Sequence, residues 1–424
     1  MANSKWICCQ IGAREHYEIP RSLRNAGRLE TLITDAWVSP DSAIRDFSSK
    51  IVPSLSERYH PDLQDANVQA FTGALISFEL QQKLSRSTGW SNILARNQWF
   101  QYQALSHLKF LSRSFSRPHT LDNKQPNPTL FSYSYAALEL FKFAKQQGWR
   151  TVLGQTDPGI IEQQIMERLQ SQDGQQYRSN WVPAPSSYWK RWRQECDLAD
   201  QIIVNSAWSQ TALVKAGITA EKIAITPLAY QPPAAMDGFE RTYPSRFSRD
   251  RPLRVLFLGK IILRKGIAAL LEALPHIDAA PIEIWLVGPT ELTLPPALAS
   301  HSQLKWLGPV PRNQVQQHYR NADVFLFPTH SDGFGLTQLE AQAWQLPIIA
   351  SEQCGKVVGH QQNGLILPGV SGEAIAEALL TCCRSPQTLQ QWANHSVDSR
   401  IMRSYSLHQL AQTLNNVCQQ VIAS

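Results

Sequence analysis

The sequence predicts an α/β protein built from two Rossmann-like, doubly wound parallel-sheet domains facing a cleft. Three observations carry that expectation. At 424 residues the chain is too long for one ordinary domain and suits two of about 200 residues each. In both halves, short apolar runs that end near glycine alternate with segments of helical period, the pattern of βαβ units. Between the halves the periodicity stops, and Gln231 to Pro252 is rich in Pro, Arg, Ser and Asp. The expected division is a first domain over 1–232, a linker over 233–252, a second domain over 253–399 and a C-terminal helix at about 400–424.

Composition narrows the class. Hydrophobic residues make up 43% of the chain and charged residues 17%, enough to build a large core. No run of about 18 apolar residues is available to cross a membrane. The N-terminal MANSKWICCQIG lacks the longer apolar region and small-residue cleavage site of a signal peptide. Seven cysteines include the adjacent pairs Cys8-Cys9 and Cys382-Cys383, but no CxxC or paired Cys/His spacing. Zinc and a disulfide framework are disfavoured, and a reducing cytoplasm fits. The net charge of +6 is modest, so its distribution matters more than its size.

In chain order, Trp6 to Ile11 predicts a strand, followed by Gly12 and a short helix with Pro20 in its first turn and Gly27 past its end. Gly12 either lets the first loop approach a ligand or the other domain, or makes a plain tight turn. Leu29 to Thr34 predicts the second strand. The absence of GxGxxG in this half disfavours a dinucleotide cofactor. From Leu80 to Thr120 there is no acidic residue, while Lys83, Arg86, Arg96, Lys109, Arg113 and Arg117 alternate with aromatic side chains. A basic, aromatic, helical stretch over 83–117 can lie on an anionic membrane, placing the protein peripherally at the inner face, or it can form an ordinary solvated helix pair. No recognised motif supports nucleic-acid binding.

A strand at Leu130–Tyr133, a helix at about Ala136–Gln147 and a strand at Thr151–Gly154 follow. Asp157, just before Pro158, is expected either to face the cleft or to stabilise its turn. Gln201–Val204 and Ile223–Thr226 predict strands around a helix capped by Ser206 and stopped at Gly217. The second half restarts with strands at Leu253–Leu258, Ile282–Val287 and Leu304–Leu307. Lys260 and Lys265 flank the loop after the first of these, where two cations can clamp phosphates. Toward the C-terminus, Leu407, Leu410, Leu414, Val417 and Val421 recur at helical spacing.

The stretch VFLFPTHSDGFGLTQLEAQAWQLPIIA, Val324 to Ala350, is the most informative. It reads as a buried strand, a glycine loop with an exposed Phe334 between Gly333 and Gly335, a helix from Leu336 and a strand at Ile348–Ala350. Loop amides and a helix N-terminus converge there, a ready phosphate site framed by Asp332 and Glu340 with seven residues between them. This acid-x7-acid signature closely resembles that of retaining GT-B glycosyltransferases of family 4, the glycosyl transferases of group 1. The likeness is good over 195–370 and loose over the first 190 residues.

That resemblance implies a hexosyltransferase that moves a sugar from a nucleotide-sugar co-substrate to a glycan, lipid or small-molecule acceptor with retention, without a resident cofactor. It implies that Gly333, Phe334, Gly335 and Leu336 hold the donor sugar and diphosphate, that Glu340 binds ribose, and that Gly308 and Val310 line the base. Asp332, Lys265 and Lys260 take the catalytic positions, and Gly12 and Asp157 lie on the acceptor side of the cleft. The last helix is expected to cross back to the first domain. Three departures stand out: Asp332 where Glu is usual, Lys260 where Arg is usual, and Gln155-Thr156 where the family often places a histidine. Without a D-x-D triad, metal-independent transfer is expected, with the lysines and amides carrying the leaving group's charge. A non-catalytic nucleotide-sugar or glycan-binding relative, and an epimerase on the same fold, are the alternatives.

Overall fold

A computed structural model of the protein describes residues 4–42, 55, 57–86, 88–115, 127–236, 238–397 and 403–420. Among them, seven strands form the first sheet: Trp6–Gln10 (β1), Leu29–Thr34 (β2), Val68–Ala70 (β3), Thr129–Tyr133 (β4), Arg150–Gln155 (β5), Gln201–Val204 (β6) and Ile223–Ile225 (β7). Six form the second: Leu253–Leu258 (β8), Ile282–Val287 (β9), Leu304–Gly308 (β10), Val324–Phe327 (β11), Ile348–Ala350 (β12) and Gly364–Ile366 (β13). The orders are β3-β2-β1-β4-β5-β6-β7 and β10-β9-β8-β11-β12-β13, and all neighbours pair in parallel. Each order reverses once, between β1 and β4 and between β8 and β11. Ligands of such sheets bind outside the strand carboxyl ends at these switch points.

The helices of the first half are Glu18–Asn25 (α1), Thr72–Leu84 (α2), Gly89–Phe115 (α3), Leu138–Gln146 (α4), Ile160–Asp173 (α5), Ser186–Leu198 (α6) and Ala207–Lys215 (α7). Those of the second are Ile267–Ile277 (α8), Pro296–Ala299 (α9), Arg312–Asn321 (α10), Leu336–Ala343 (α11), Gly372–Arg384 (α12), Pro386–Val397 (α13) and Leu407–Gln420 (α14). No described helix is long and apolar enough to cross a membrane.

Successive side chains of the second sheet enter different cores. Val255 and Leu326 pack with Leu270 and Leu379, while Leu256 and Phe325 pack with Tyr319 and Leu339 on the opposite face. A strand covered on both faces reads as a continuous apolar run rather than an alternating one. Arg241, from the stretch between the sheets, is 6% exposed and donates to the backbone oxygens of Trp344 at 3.0 Å and Tyr319 at 2.7 Å, and Arg251 pairs with Asp323 at 2.7 Å. The later part of the 233–252 stretch is thus fastened to the second sheet's layer.

Among the described residues, the C-terminal segment includes the helices α13 and α14. Leu410, Leu414 and Val417 of α14 join the core of Trp6, Tyr17 and Leu23 in the first domain, and Ser22 Oγ donates to Leu407 O at 3.0 Å. Val421, the last member of the expected apolar stripe, lies outside the described residues. Where the chain passes between domains, the Tyr230 amide donates to Tyr405 O at 2.7 Å.

The basic stretch over 83–117 is α3 and the end of α2, with Arg117 outside the described residues. Arg96 turns inward, 3.2 Å from the buried Asp35. Tyr102 (71% exposed), Lys109, Phe110 (63%) and Arg113 share the outer face of α3.

Candidate functional site

The loops that leave β8 and β11 meet at the second sheet's switch point. Gly266 has φ +78°, and a Cβ there would lie 1.9 Å from the carbonyl oxygen of Pro328, so the two loops touch only because this position carries no side chain. The contact sets Lys265 against Asp332. The Lys265 ammonium pairs with Asp332 Oδ2 and lies 4.7 Å from the Phe327 ring centroid. Arg264 approaches the same oxygen at 3.6 Å, and the Phe334 amide donates to Asp332 Oδ1 at 3.2 Å. Burial pushes the Asp332 carboxyl up, but Lys265 and then Arg264 outweigh it and hold it below the usual carboxylate range.

The first domain clasps this loop. A Cβ on Gly333 would sit 1.7 Å from Thr156 O. Ser209 Oγ donates to Gly333 O at 3.3 Å, and Trp208 Nε1 to Ser331 Oγ at 3.2 Å. Glu162, on α5, accepts from Ser331 Oγ at 3.0 Å and pairs with Arg264 at 3.3 Å. Burial pushes the Glu162 carboxyl up, Arg264 pulls it down, and Asp157 and Asp332 push again, leaving it at about 7. A carboxyl raised on folding stabilises the native state most fully below about 4.5, and this contribution is lost as pH rises through about 7. Calorimetry from about pH 4.5 to 8 will show a shallower decline in Tm for Glu162→Gln than for the parent. An unchanged profile would exclude Glu162 as the titrating group.

Glu340 lies one turn into α11, whose N-terminal residue is preceded by Gly335 at φ +84°. Its Oε2 accepts from the Tyr319 hydroxyl at 2.7 Å. Burial raises its pKa, with Tyr319 and Arg312 acting in the opposite sense. It lines an interdomain cavity of about 840 Å³, with His16 and Arg21 from the first domain and Arg312, Tyr319 and Thr337 from the second. His16 is 2.6 Å from Arg312 and is held down to about 4, by burial first and then by Arg312, so it is neutral at pH 7.

The sequence candidates thus divide. Asp332, Lys265, Gly333, Gly335, Leu336 and Glu340 gather around the loop and first turns of α11. Phe334 does not stay exposed: it is 3% exposed and its carbonyl accepts from the Gly355 amide at 2.8 Å, because Gly355 leaves room for the ring. Lys260 stands apart, with its side chain 62% exposed and paired with Glu291 at 3.0 Å. Gly308 has φ +66° and accepts from the Gly288 amide at 2.8 Å, and Val310 packs in the cluster of Leu258 and Val315, which line the cavity. Gly12 serves its own loop: its amide donates to Asp35 Oδ1 at 2.8 Å, and a Cβ would lie 2.2 Å from Arg58. Asp157 receives the Tyr135 hydroxyl at 2.6 Å and the Gly159 amide at 2.8 Å, fixing the turn into α5, and it borders a second, smaller cavity.

Sequence reasoning missed Glu162, His16, Arg312 and Tyr319, and gave Arg264 no role. The only local hint was Arg312 directly after Pro311, at a helix start. Chemically, two cations, a run of loop amides and a helix N-terminus suit a bound diphosphate, with Glu340 available for a neutral hydroxyl-bearing group.

Residues 252–385 match the family profile described as Glycosyl transferases group 1. The D-inositol 3-phosphate glycosyltransferase of Xylanimonas cellulosilytica is 30% identical over 220 residues, covering 47% of this chain and 52% of that protein. CapM, a capsular polysaccharide biosynthesis glycosyltransferase of Staphylococcus aureus, is 26% identical over 159 residues, covering 35% and 41%. The match therefore spans about half or less of these relatives. Sucrose-phosphate synthase from Thermosynechococcus elongatus superposes with a TM-score of 0.65 at 15% identity, covering 99% of both chains. Anabaena HepE in complex with UDP-glucose gives 0.57 at 15% identity, covering 99% of this chain and 100% of that one. The chain has the GT-B fold, and its residues 252–385 match the Glycosyl transferases group 1 family.

Proposed function

We propose that the protein is a retaining glycosyltransferase that moves a hexosyl group from a nucleotide sugar to an acceptor. The observation that carries this is the Lys265–Asp332 pair at the β8/β11 switch point, with Glu340 at the interdomain cavity on the helix that follows the Asp332 loop. In this reading the donor diphosphate lies against Lys265 and the amides from Gly333 to Leu336, its ribose meets Glu340, and Asp332 faces the sugar. As the glycosidic bond forms, the diphosphate leaves as an anion, and preorganised donors stabilise that charge without a metal. Its own phosphate oxygen takes the acceptor's proton on the face from which it departs, which gives retention. HepE's complex with UDP-glucose makes uridine sugars the first donors to try.

The test is a thermal-shift screen against UDP-, GDP- and ADP-hexoses. A true donor at about 100 times its Kd stabilises the native state by about 2.7 kcal/mol. No shift with any of them would sink the donor site. Glu340→Gln is expected to raise the donor KM by roughly tenfold with kcat nearly kept, since it weakens one charged hydrogen bond. Initial-rate kinetics check this, and an unchanged KM removes Glu340 from the ribose site. Lys260, turned to Glu291, is the observation that favours the non-catalytic alternative. Donor hydrolysis by the purified protein excludes that alternative.

For the peripheral membrane contact, the outer face of α3 supplies Tyr102 and Phe110 beside Lys109 and Arg113. Lys109→Glu with Arg113→Glu is expected to abolish sedimentation with anionic liposomes. Unchanged sedimentation, or none by the parent, ends that reading.

A further inference from the structure

Behind the Asp332 cluster, on the first-domain side, lies the second cavity, of about 170 Å³. Its walls are aromatic. Tyr135 and Tyr188 stack at 4.6 Å with a 17° interplanar angle, and the Trp90 ring meets Tyr188 edge-on at 5.0 Å. Trp181 and Trp189 complete the wall, and all five residues are half-buried. Trp90 Nε1 donates to Val182 O at 3.2 Å and Trp189 Nε1 to Gln163 Oε1 at 2.8 Å, which fixes two of the indoles in place. The polar rim is Asp157, Glu162 and Arg264.

This lining selects among ligands. The volume admits one small ring and excludes a helix or folded segment. A lipid chain would lay apolar surface against two carboxyl groups and a guanidinium and offer them no further hydrogen bond. A phosphate would meet Asp157 and Glu162 with only Arg264 in its favour. A pyranose satisfies both surfaces, because its C–H faces lie on aromatic rings and its hydroxyls donate to carboxylates and accept from the guanidinium. Position adds a further constraint. Arg264 borders the cavity and stands 3.6 Å from Asp332, so a ring bound here lies next to the donor sugar.

We propose that this cavity binds a sugar ring of the acceptor, so that the acceptor is itself a glycoside. The proposal rests on the transferase reading for the word acceptor, and on the cavity alone for the sugar. The experiment uses the full chain and methyl α- and β-pyranosides of glucose, galactose, mannose and N-acetylglucosamine, followed by saturation-transfer NMR, with UDP titrated separately. Trp181→Ala and Trp90→Ala are compared with the parent after circular dichroism has shown each to be folded. The expected result is that at least one glycoside binds, that its Kd rises tenfold or more in both variants, and that UDP affinity stays within twofold. A parent that binds UDP but no glycoside overturns the proposal, as does glycoside binding unchanged in both variants. Glycoside binding that weakens in the variants of a protein with no thermal shift for any UDP-, GDP- or ADP-hexose upholds the sugar site and defeats the transferase reading.

Discussion

Lys265→Ala will lose about 10²–10³-fold in kcat on the true donor, the scale seen when one preorganised donor to a developing anion is removed. The Lys265 side chain is 16% exposed, packed over Phe327 and paired with Asp332. Its loss also leaves Asp332 with Arg264 at 3.6 Å as its remaining ion partner. Breaking a buried pair from one side typically costs about 3–5 kcal/mol, so Tm will fall as well. The double variant Lys265→Ala, Asp332→Asn separates the two effects. Removing the stranded charge restores much of the lost stability, whereas turnover stays low. Near-normal turnover by Lys265→Ala would show that the phosphates lie elsewhere.

Gly333→Ala will cost about 100-fold in kcat/KM, the scale of an ångström-sized misplacement of reacting groups. The added methyl would stand 1.7 Å from the backbone oxygen of Thr156, which cannot rotate away. The first domain must therefore move back from the glycine loop, taking Ser209 and Glu162 with it. Most of each core lies within its own half, although Met166, Leu169 and Tyr177 reach into the core of the second sheet, so Tm should change less than activity, and small-angle scattering should report a larger radius of gyration. Gly369→Ala, with nothing within 4 Å of the added carbon, is the control and should be neutral. Full activity in Gly333→Ala would mean that this domain contact is not the working one.

The second sheet was legible because it is buried on both faces. Leu253–Leu258, Ile282–Val287, Val324–Phe327 and Ile348–Ala350 are strands with the bounds that their apolar runs predict. β3 was not legible: three residues at a sheet edge, all partly exposed, leave no periodic pattern. Nor was the turn before α1, where Glu15, His16 and Tyr17 all take positive φ without a glycine to announce it. The same division holds at the site. Asp332, Gly333, Gly335 and Glu340 belong to one βα unit, so their spacing is local and readable. Glu162 reaches Arg264 and Ser331 from another domain, across sequence separations of 102 and 169 residues, and such a pairing has no local signature. Phe334 reversed its expected exposure for a related reason, since what covers it is folded back from Gly355.

The hydrogen bond between Tyr230 and Tyr405 has a mechanical consequence. The polypeptide joins its two halves by two separate connections, and this bond ties them together side by side. Two lashed cords form a spine: the halves can open and shut about it, but twisting one against the other would have to break the lashing. The Tyr405 ring also lies 5.6 Å from Phe334, at the glycine loop. Opening about that spine would therefore be felt first at the glycine loop, the proposed seat of the donor phosphates, so cutting either cord should loosen the grip on nucleotide before it unfolds either half.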